Sequence, residues 1–376
     1  MRFLRRNKIN KTIIVISDTH LGAGSYFQGK RNLLEDFHFD KEMVNFLEYY
    51  STGEYVNREV ELVINGDFFD FLAVPYVRYF ADEYWSESAA LEKLKIIIGA
   101  HPEVMQALKD FIAKKNKKIT YIIGNHDAEL VLEKCQNYLK DYFVENKDKF
   151  FISNDNQTYN PHRGVYIQHG HQYEIAHNYN PKDSIIDSGS GEKYFMPPWG
   201  SYYVTRIINK FKQERDYINE VRPIKNFIIH GLIFDTFFTL RFVFSNFFYF
   251  FMVRFWNYVA RNPGWKIIKE KMVEELHLFQ NFKTLTREFF EKYPDARTLI
   301  VGHTHEPAIH YFNDGTTFVN TGTWTKMINL DFSMMKHGHS LTYAQIDITQ
   351  NKDDSQVEVD LLEWKGRSEL PFQEYV

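Results

Sequence analysis

The sequence predicts an α/β fold, a four-layer αββα sandwich, and three observations carry that expectation. Apolar runs rich in Ile and Val, largely without polar alternation, recur at Thr12 to Ser17, Glu61 to Ile64, Ile119 to Ile123, Val165 to Gln168 and Thr298 to Val301. Such runs read as strands buried on both faces. The stretches between them are long enough for crossover helices, and after His305 the pattern changes to alternating strands that should complete a second sheet.

In chain order, Met1 to Lys11 carries five basic residues but leads straight into a short strand, with no apolar region or small-residue cleavage site, so a secretory signal is not expected. The first strand ends in Asp18-Thr19-His20. A helix over Asp40 to Tyr50 precedes the second strand and its cluster Gly66-Asp67-Phe68-Phe69-Asp70. The following stretch, Phe71 to about Gly99, carries Tyr76, Tyr79, Tyr84 and Trp85 and reads equally as one wall of a pocket or as a helix packed on the sheet. A helix over Pro102 to Lys115 leads to the third strand and Gly124-Asn125-His126-Asp127. Asp127 is placed to N-cap a helix over Ala128 to Tyr142, in which Cys135 packs. The fourth strand ends in His169-Gly170-His171 and the fifth in Gly302-His303-Thr304-His305. The late strands are Thr316 to Asn320, Ser340 to Ile348 and Val357 to Trp364, joined by turn-rich stretches such as Gln350 to Ser355.

In open α/β sheets, ligands bind beyond the carboxyl ends of the strands, so polar clusters at five strand ends converge although they are far apart in sequence. Carboxylates, imidazoles and one amide form a mixed ligand set suited to Mn, Fe or Zn, and no thiolate takes part. One such cluster alone reads as a turn, because Asp and Asn favour turns and Gly permits positive φ. Five in order at strand ends make that reading untenable.

The clusters resemble the pattern of the calcineurin-like metallophosphoesterase superfamily, DxH, GDxxD, GNH(D/E), a lone His and GHxH, all in order from Asp18 to His305. The resemblance implies the metallo-dependent phosphatase type of αββα sandwich and a dinuclear metal-dependent phosphoesterase. Carried over residue by residue, it implies that Asp18, His20 and His305 hold one metal, that Asn125, His169 and His303 hold the other, and that Asp67 bridges both. Cations sharing a carboxylate sit roughly 3.5–4 Å apart, and a hydroxide between them is a strong nucleophile for in-line attack on phosphorus. Mn is the expected metal, with Fe or Zn as alternatives. His126 is implied to protonate the leaving alkoxide or steady the phosphoryl oxygens, with Asp70 on its other ring nitrogen. Asp70 also reads as a cap for the segment after it. His171 competes with His169, which is preferred because it ends the strand directly. His38, His101, His162, His177, His230 and His310 match no block and are expected on the surface or in the core. Lys30, Arg31 and Arg163 lie near motifs, where solvated surface roles are expected.

At 376 residues the chain exceeds one average domain. The expected organisation is a core of residues 1–183 and 295–376 interrupted by an inserted helical cap, 184–294. Its composition is unusual: 11 of the 34 Phe residues lie between Phe227 and Phe255. A membrane span needs roughly 20 mostly apolar residues, and Asp235, Arg241 and Arg254 interrupt this stretch. Two readings remain. One is a buried helical hairpin packed on the core or in a dimer interface. The other is a cap whose apolar face, within 225–256, covers the metal centre and receives acyl chains or rests on a membrane surface. Flanking helices over Tyr202 to Arg215 and Lys266 to Lys283 are basic but carry acidic residues too.

The cap position, together with Asp18-Thr19-His20-Leu21-Gly22 and Gly66-Asp67-Phe68-Phe69-Asp70-Phe71, also resembles the UDP-2,3-diacylglucosamine hydrolases. That bacterial branch cleaves a pyrophosphate in lipid A synthesis and holds acyl chains under a helical lid. It usually has Arg after the Asn of the third block, where His126 stands here. The expected substrate is a phosphorylated small molecule or a lipid-linked phosphate or pyrophosphate. A nuclease or protein phosphatase is the alternative among enzymes and would call for an open, basic groove. A scaffold that keeps the fold without catalysis is the alternative outside them. A formal charge of −4 gives no general attraction to phosphate backbones, so nucleic acid is not an expected partner. The single Cys135 excludes an internal disulfide and fits a cytoplasmic, reducing compartment, with peripheral contact at the inner membrane face as a further option.

Overall fold

The computed structural model describes residues 9–75, 82–153, 158–189, 191–222, 224–252, 282–329, 340–350 and 355–366. Its first sheet has six strands in the order Ser355–Trp364, Leu341–Gln350, Lys11–Ile16, Glu59–Asn65, Lys117–Ile122 and Phe150–Ser153. The last four are mutually parallel, whereas Leu341–Gln350 runs antiparallel to Lys11–Ile16. The second sheet has five strands in the order Ala308–Tyr311, Thr317–Asn320, Thr298–Val301, Val165–Gln168 and Thr158–His162, with a parallel centre and antiparallel edges.

Alternation along the strands explains the layering. Ile13 and Val15 point to one side of the first sheet, where they meet Val63, Ile122, Ala344 and Ile346 and, from the second sheet, Val165, Ile167, Ile300 and Val319. Ile14 and Ile16 point to the other side, onto helices Asp40–Tyr49, Glu87–Ala100 and Pro102–Ala113 through Phe46, Leu94, Ile97 and Leu108. Outside the second sheet, Leu299, Val301 and Phe318 pack on Phe289 of helix Phe282–Lys292. The result is the expected αββα sandwich, with strands buried on both faces.

Two helices carry the end signals their sequences promise. Ser86 accepts a hydrogen bond from the backbone N–H of Ala89 and caps Glu87–Ala100, and Pro102 occupies the first turn of Pro102–Ala113. The stretch after Asp70 therefore resolves, beyond the short 3-10 turn Phe71–Ala73, into a packed helix, with Tyr84 and Trp85 buried against it. Tyr76 and Tyr79 lie outside the described residues.

Two expectations need correction. Of the late strands assigned to the second sheet, only Thr317–Asn320 lies there; Leu341–Gln350 and Ser355–Trp364 form a hairpin that extends the first. An alternating antiparallel strand suits the edge of either sheet, and the choice falls to packing: Ala344, Ile346 and Ile348 complete the layer between the sheets beside Ile13 and Val15. The single helix expected over Ala128 to Tyr142 is broken at Leu132, giving a 3-10 turn Ala128–Val131 and a helix Glu133–Tyr142.

In the Phe-rich segment, helices Ile224–Phe234 and Thr236–Phe250 form a hairpin. Phe227, Phe238 and Phe242 form a small apolar cluster with Phe211, Ile218 and Val221. Phe234 and Phe237 are 84 and 79 % exposed, and Phe244, Phe247 and Phe248 are exposed as well. Among the described residues no helix is long and apolar enough to cross a membrane. Residues 253–256, and the expected helix from Lys266 as far as residue 281, lie outside the described residues. The hairpin packs through that apolar cluster on helix Asn209–Lys212, which is itself tied beside Asp70: Asn209 donates to the carbonyl of Leu72 at 2.7 Å, and Lys212 pairs with the buried Asp36.

Candidate metal centre

The strand Lys11–Ile16 delivers Asp18 and His20, Glu59–Asn65 delivers Asp67 and Asp70, and Lys117–Ile122 delivers Asn125 and His126. From the other sheet, Val165–Gln168 delivers His169, and Thr298–Val301 delivers His303 and His305. All lie in turns held by cross-links between strand ends. The backbone N–H groups of Asp18 and His20 donate to the carbonyls of Gly66 and Asp67, and that of Gly302 donates to His169. Asp18, His20, Asp67, His303 and His305 all have φ between 51° and 71°, the left-handed region that L-residues rarely occupy. Backbone strain of this kind persists only where the surroundings enforce it, and it gathers at functional sites.

Glycines make the close approach feasible. A Cβ at Gly124 would strike Oδ1 of Asp67, one at Gly66 would strike the His169 ring, and one at Gly302 would strike Ser17 Oγ and Asp18 Oδ2. Gly66 is also at φ +79°, so both space and backbone demand glycine there.

Three groups of donor atoms result at the centre, each able to hold a metal ion: Asp18 with His20 and His305, Asp67 with His169 and His303, and, overlapping both, His20 with Asp67 and His126. In the first, Nε2 of His20 lies 3.1 Å from Nε2 of His305, which is 3.4 Å from Oδ1 of Asp18. In the second, Nδ1 of His169 donates to the carbonyl of Asn65 at 2.7 Å, which leaves a lone pair on Nε2. That nitrogen faces Oδ2 of Asp67 at 3.1 Å and Oδ1 of Asn125 at 3.3 Å. With the ring neutral, the lone pair on that nitrogen faces oxygens of two other side chains. Oδ1 of Asp18 and Oδ2 of Asp67 are buried without a hydrogen bond, whereas the other oxygen of each is satisfied, by the His303 N–H at 2.9 Å and the His126 N–H at 2.7 Å respectively. Buried carboxylate oxygens left bare in this way are what a cation would satisfy, so the residues present fit divalent metals.

The electrostatics say the same. Burial alone would discharge these groups, but the His169 and His305 imidazoles hold Asp18 below its ordinary value, and His169 and His126 hold Asp67 well below. Burial also opposes charging His169, yet Asp67 and Asp18 push it up to about 10, and Asp70 pushes His20 up to about 9.

Oδ1 of Asp70 lies 3.0 Å from Nδ1 of His126. The same carboxylate also accepts from the backbone N–H of Ala73, so it meets both the His126 ring and the turn that follows it. His126 opens toward solvent at the rim of the cluster, its ring edge-on to His20 with centroids 4.6 Å apart.

Asp127 occupies the N-cap position of its turn but its side chain caps nothing there. The carboxylate accepts instead from the N–H groups of Phe68 and Gly124 and from the Tyr121 hydroxyl, tying the second and third motif loops together. Burial and the nearby Asp67 push it up to about 6. His171 is buried, stacks on Tyr179, and finds no hydrogen-bond partner among the described residues, so His169 is the member of the pair that meets Asp67.

His177, expected on the surface or in the core, instead joins Glu174 and His303 in a further group of donor atoms at the edge of the cluster. Neither Glu174 nor His177 ends a strand, and the only signal in the sequence is their spacing, three apart, directly after His169-Gly170-His171. His38, His162, His230 and His310 join none of these groups. His101 is buried against Asp40 and Glu35. Lys30, Arg31 and Arg163 are exposed, Arg31 pairing with Asp216 at 3.0 Å.

A family model described as calcineurin-like phosphoesterase matches residues 11–307. No curated protein matches the chain. Among solved structures, a dimetal phosphatase from Danio rerio is 10% identical, the match covering 95% of this chain and 100% of that one with a TM-score of 0.36. A 5'-nucleotidase from Candida albicans is 12% identical over 96% of this chain and 52% of its own, with a TM-score of 0.32. Vacuolar Protein Sorting 29 from Cryptosporidium parvum is 12% identical over 95% and 100%, with a TM-score of 0.28.

Proposed function

Because the chain belongs to the calcineurin-like phosphoesterase family, whose model matches it over residues 11–307, we propose that it is a dinuclear phosphoesterase working through the motif residues named above. Asp18, His20 and His305 would hold one divalent cation, Asn125, His169 and His303 the other, and Asp67 would bridge them. Two such cations supply Lewis acidity and a nucleophile available near neutral pH. The observation that supports this reading is the gathering of Oδ2 of Asp67 and Oδ1 of Asn125 at 3.1 and 3.3 Å from Nε2 of His169, with Oδ2 of Asp67 buried and otherwise without a hydrogen bond.

The protein's own part is placement and proton delivery. Asp70 takes Nδ1 of His126, so Nε2 is the nitrogen presented to substrate. Burial opposes the imidazolium, but the Asp70 carboxylate on Nδ1 favours it, and His126 would be the group that protonates the departing alkoxide.

For the substrate, the reading supported best is a lipid-linked phosphate or pyrophosphate, such as UDP-2,3-diacylglucosamine, handled at a membrane face. Its support is the row of exposed Phe side chains on Thr236–Phe250, in a hairpin that packs on helix Asn209–Lys212, which is tied to the loop after Asp70. Mn is the cation we propose. Turnover of an aryl phosphodiester with added Mn²⁺, measured with bound metal per chain, tests the assignment. Two ions and turnover, both impaired in Asp67→Asn, are expected. Absence of both in the wild type would point to a scaffold that retains only the fold.

A further inference from the structure

The loop after the fourth strand places two more side chains behind the second group of donors. The turn His171–Tyr173 continues so that the N–H of His177 donates to the carbonyl of Glu174 at 3.0 Å, which brings both side chains to the same side. Oε2 of Glu174 lies 3.0 Å from Nε2 of His303 and 3.7 Å from Nε2 of His177. Nδ1 of His177 lies 3.4 Å from Nδ2 of Asn125. Asn125 thus meets His177 and Glu174 meets His303, with His177 and Glu174 facing each other at 3.7 Å.

The donor and acceptor character of each group fixes the direction of these contacts. An amide nitrogen can only donate, so Nδ2 of Asn125 donates to Nδ1 of His177, whose proton then sits on Nε2 and faces Glu174. An ionised carboxylate can only accept, so Nε2 of His303 donates to Glu174. What remains is Oδ1 of Asn125 and Nδ1 of His303, each with a lone pair and no partner among these contacts. Oδ1 of Asn125 is the atom already found 3.3 Å from Nε2 of His169. His177 is wedged in place: the N–H of Gly200 donates to the carbonyl of Ala176 at 2.8 Å, and a Cβ at Gly200 would come within 2.7 Å of Nδ1 of His177.

We propose that Glu174 and His177 are positioning residues that set the amide orientation of Asn125 and the tautomer of His303, and so govern the affinity of the second cation. The proposal rests on the two-cation reading above. Partners behind ligating groups act in this way by locking ring and amide orientation, and their loss costs about 10–100-fold in metal affinity. A third cation held by Glu174, His177 and His303 is the rival use of the same atoms. Against it, Oε2 of Glu174 already has Nε2 of His303 at 3.0 Å, whereas Oδ1 of Asp18 and Oδ2 of Asp67 are buried without a hydrogen bond.

The test is Mn²⁺ titration of the metal-stripped full-length chain, followed by calorimetry and by the signal of free Mn²⁺, for wild type, Glu174→Ala, Glu174→Gln and His177→Ala. The wild type should bind two ions. Glu174→Ala and His177→Ala should weaken one of them by about 10–100-fold and leave the other unchanged, and Glu174→Gln, which can still accept from His303, should recover part of the loss. Thermal melting of the stripped variants separates misfolding from lost orientation, and Glu174→Gln, which keeps the side-chain shape, carries the test if Glu174→Ala does not fold. Equal affinities in wild type and variants overturn the proposal. Three ions in the wild type falling to two in the variants overturn it in favour of a third cation. Fewer than two ions in the wild type would sink the two-cation reading itself.

Discussion

Oδ2 of Asp70 lies 3.2 Å from Nδ1 of His20, so the carboxylate that orients His126 also fixes the ring of a proposed metal ligand. Burial would normally favour its neutral form, but the imidazoles of His126 and His20 hold Asp70 far below the carboxylate range. One side chain thus serves both the proposed proton donor and the first cation.

That double contact separates two variants. His126→Ala should lower kcat by about 10²–10⁴-fold while leaving bound metal near two ions per chain. Asp70→Asn should lower kcat and also weaken the first cation by about 10–100-fold. Steady-state kinetics alongside metal analysis reads both, and intact metal affinity in Asp70→Asn would show that its contact with His20 is idle.

Gly302→Ala tests the close approach. Its Cβ would collide with Ser17 Oγ and come within 2.5 Å of Oδ2 of Asp18. The expected result is a loss of roughly 1–3 kcal/mol in stability of the stripped protein, as for overpacked sites, and a larger loss of metal affinity. Chemical denaturation and metal titration measure the two separately.

The strands and the seven proposed ligands were legible because each residue type answers a local demand. Ile13, Ile14, Val15 and Ile16 are buried on alternate faces, which only a run without polar alternation can satisfy. Asp67 and His303 each follow a glycine whose missing Cβ the fold requires. What escaped depends on distant partners. Leu341–Gln350 could have joined either sheet, and Asp127 caps nothing because Phe68, Gly124 and Tyr121 compete for its oxygens. Glu174 and His177 gain meaning only once two sheets bring His303 and Asn125 beside them.

His101 should make stability depend on pH. Its ring is 2.8 Å from Asp40 and 3.4 Å from Glu35, which also accepts from the N–H groups of Gly22 and Gly24. Burial lowers the His101 pKa, but the hydrogen bonds to Asp40 and Glu35 prevail and raise it from 6.5 to about 9. A folded-state value above the unfolded one stabilises fully below about pH 6.5 and is lost as pH rises through about 9, a span worth on the order of 3 kcal/mol. Denaturation of wild type and His101→Gln at pH 6, 8 and 10 should show the difference between them shrinking upward. A constant difference would mean that His101 contributes packing alone.

The exposed aromatic row gives the substrate prediction. Phe244→Ser combined with Phe247→Ser and Phe248→Ser should reduce binding to anionic vesicles and turnover of an acylated pyrophosphate. Turnover of an acyl-free nucleotide pyrophosphate should be unchanged. Equal effects on both substrates, or none on either, count against a lipid substrate.

The two sheets contribute unequally to the proposed ligand set: Asp18, His20, Asp67 and Asn125 follow strands of the first, and His169, His303 and His305 follow strands of the second. Ions seated there would rivet the halves of the sandwich at one rim, coupling metal occupancy to mechanical integrity. Chelation should then loosen that rim first, with amide exchange accelerating at Val165–Gln168 and Thr298–Val301 before it does in the helices on the far side.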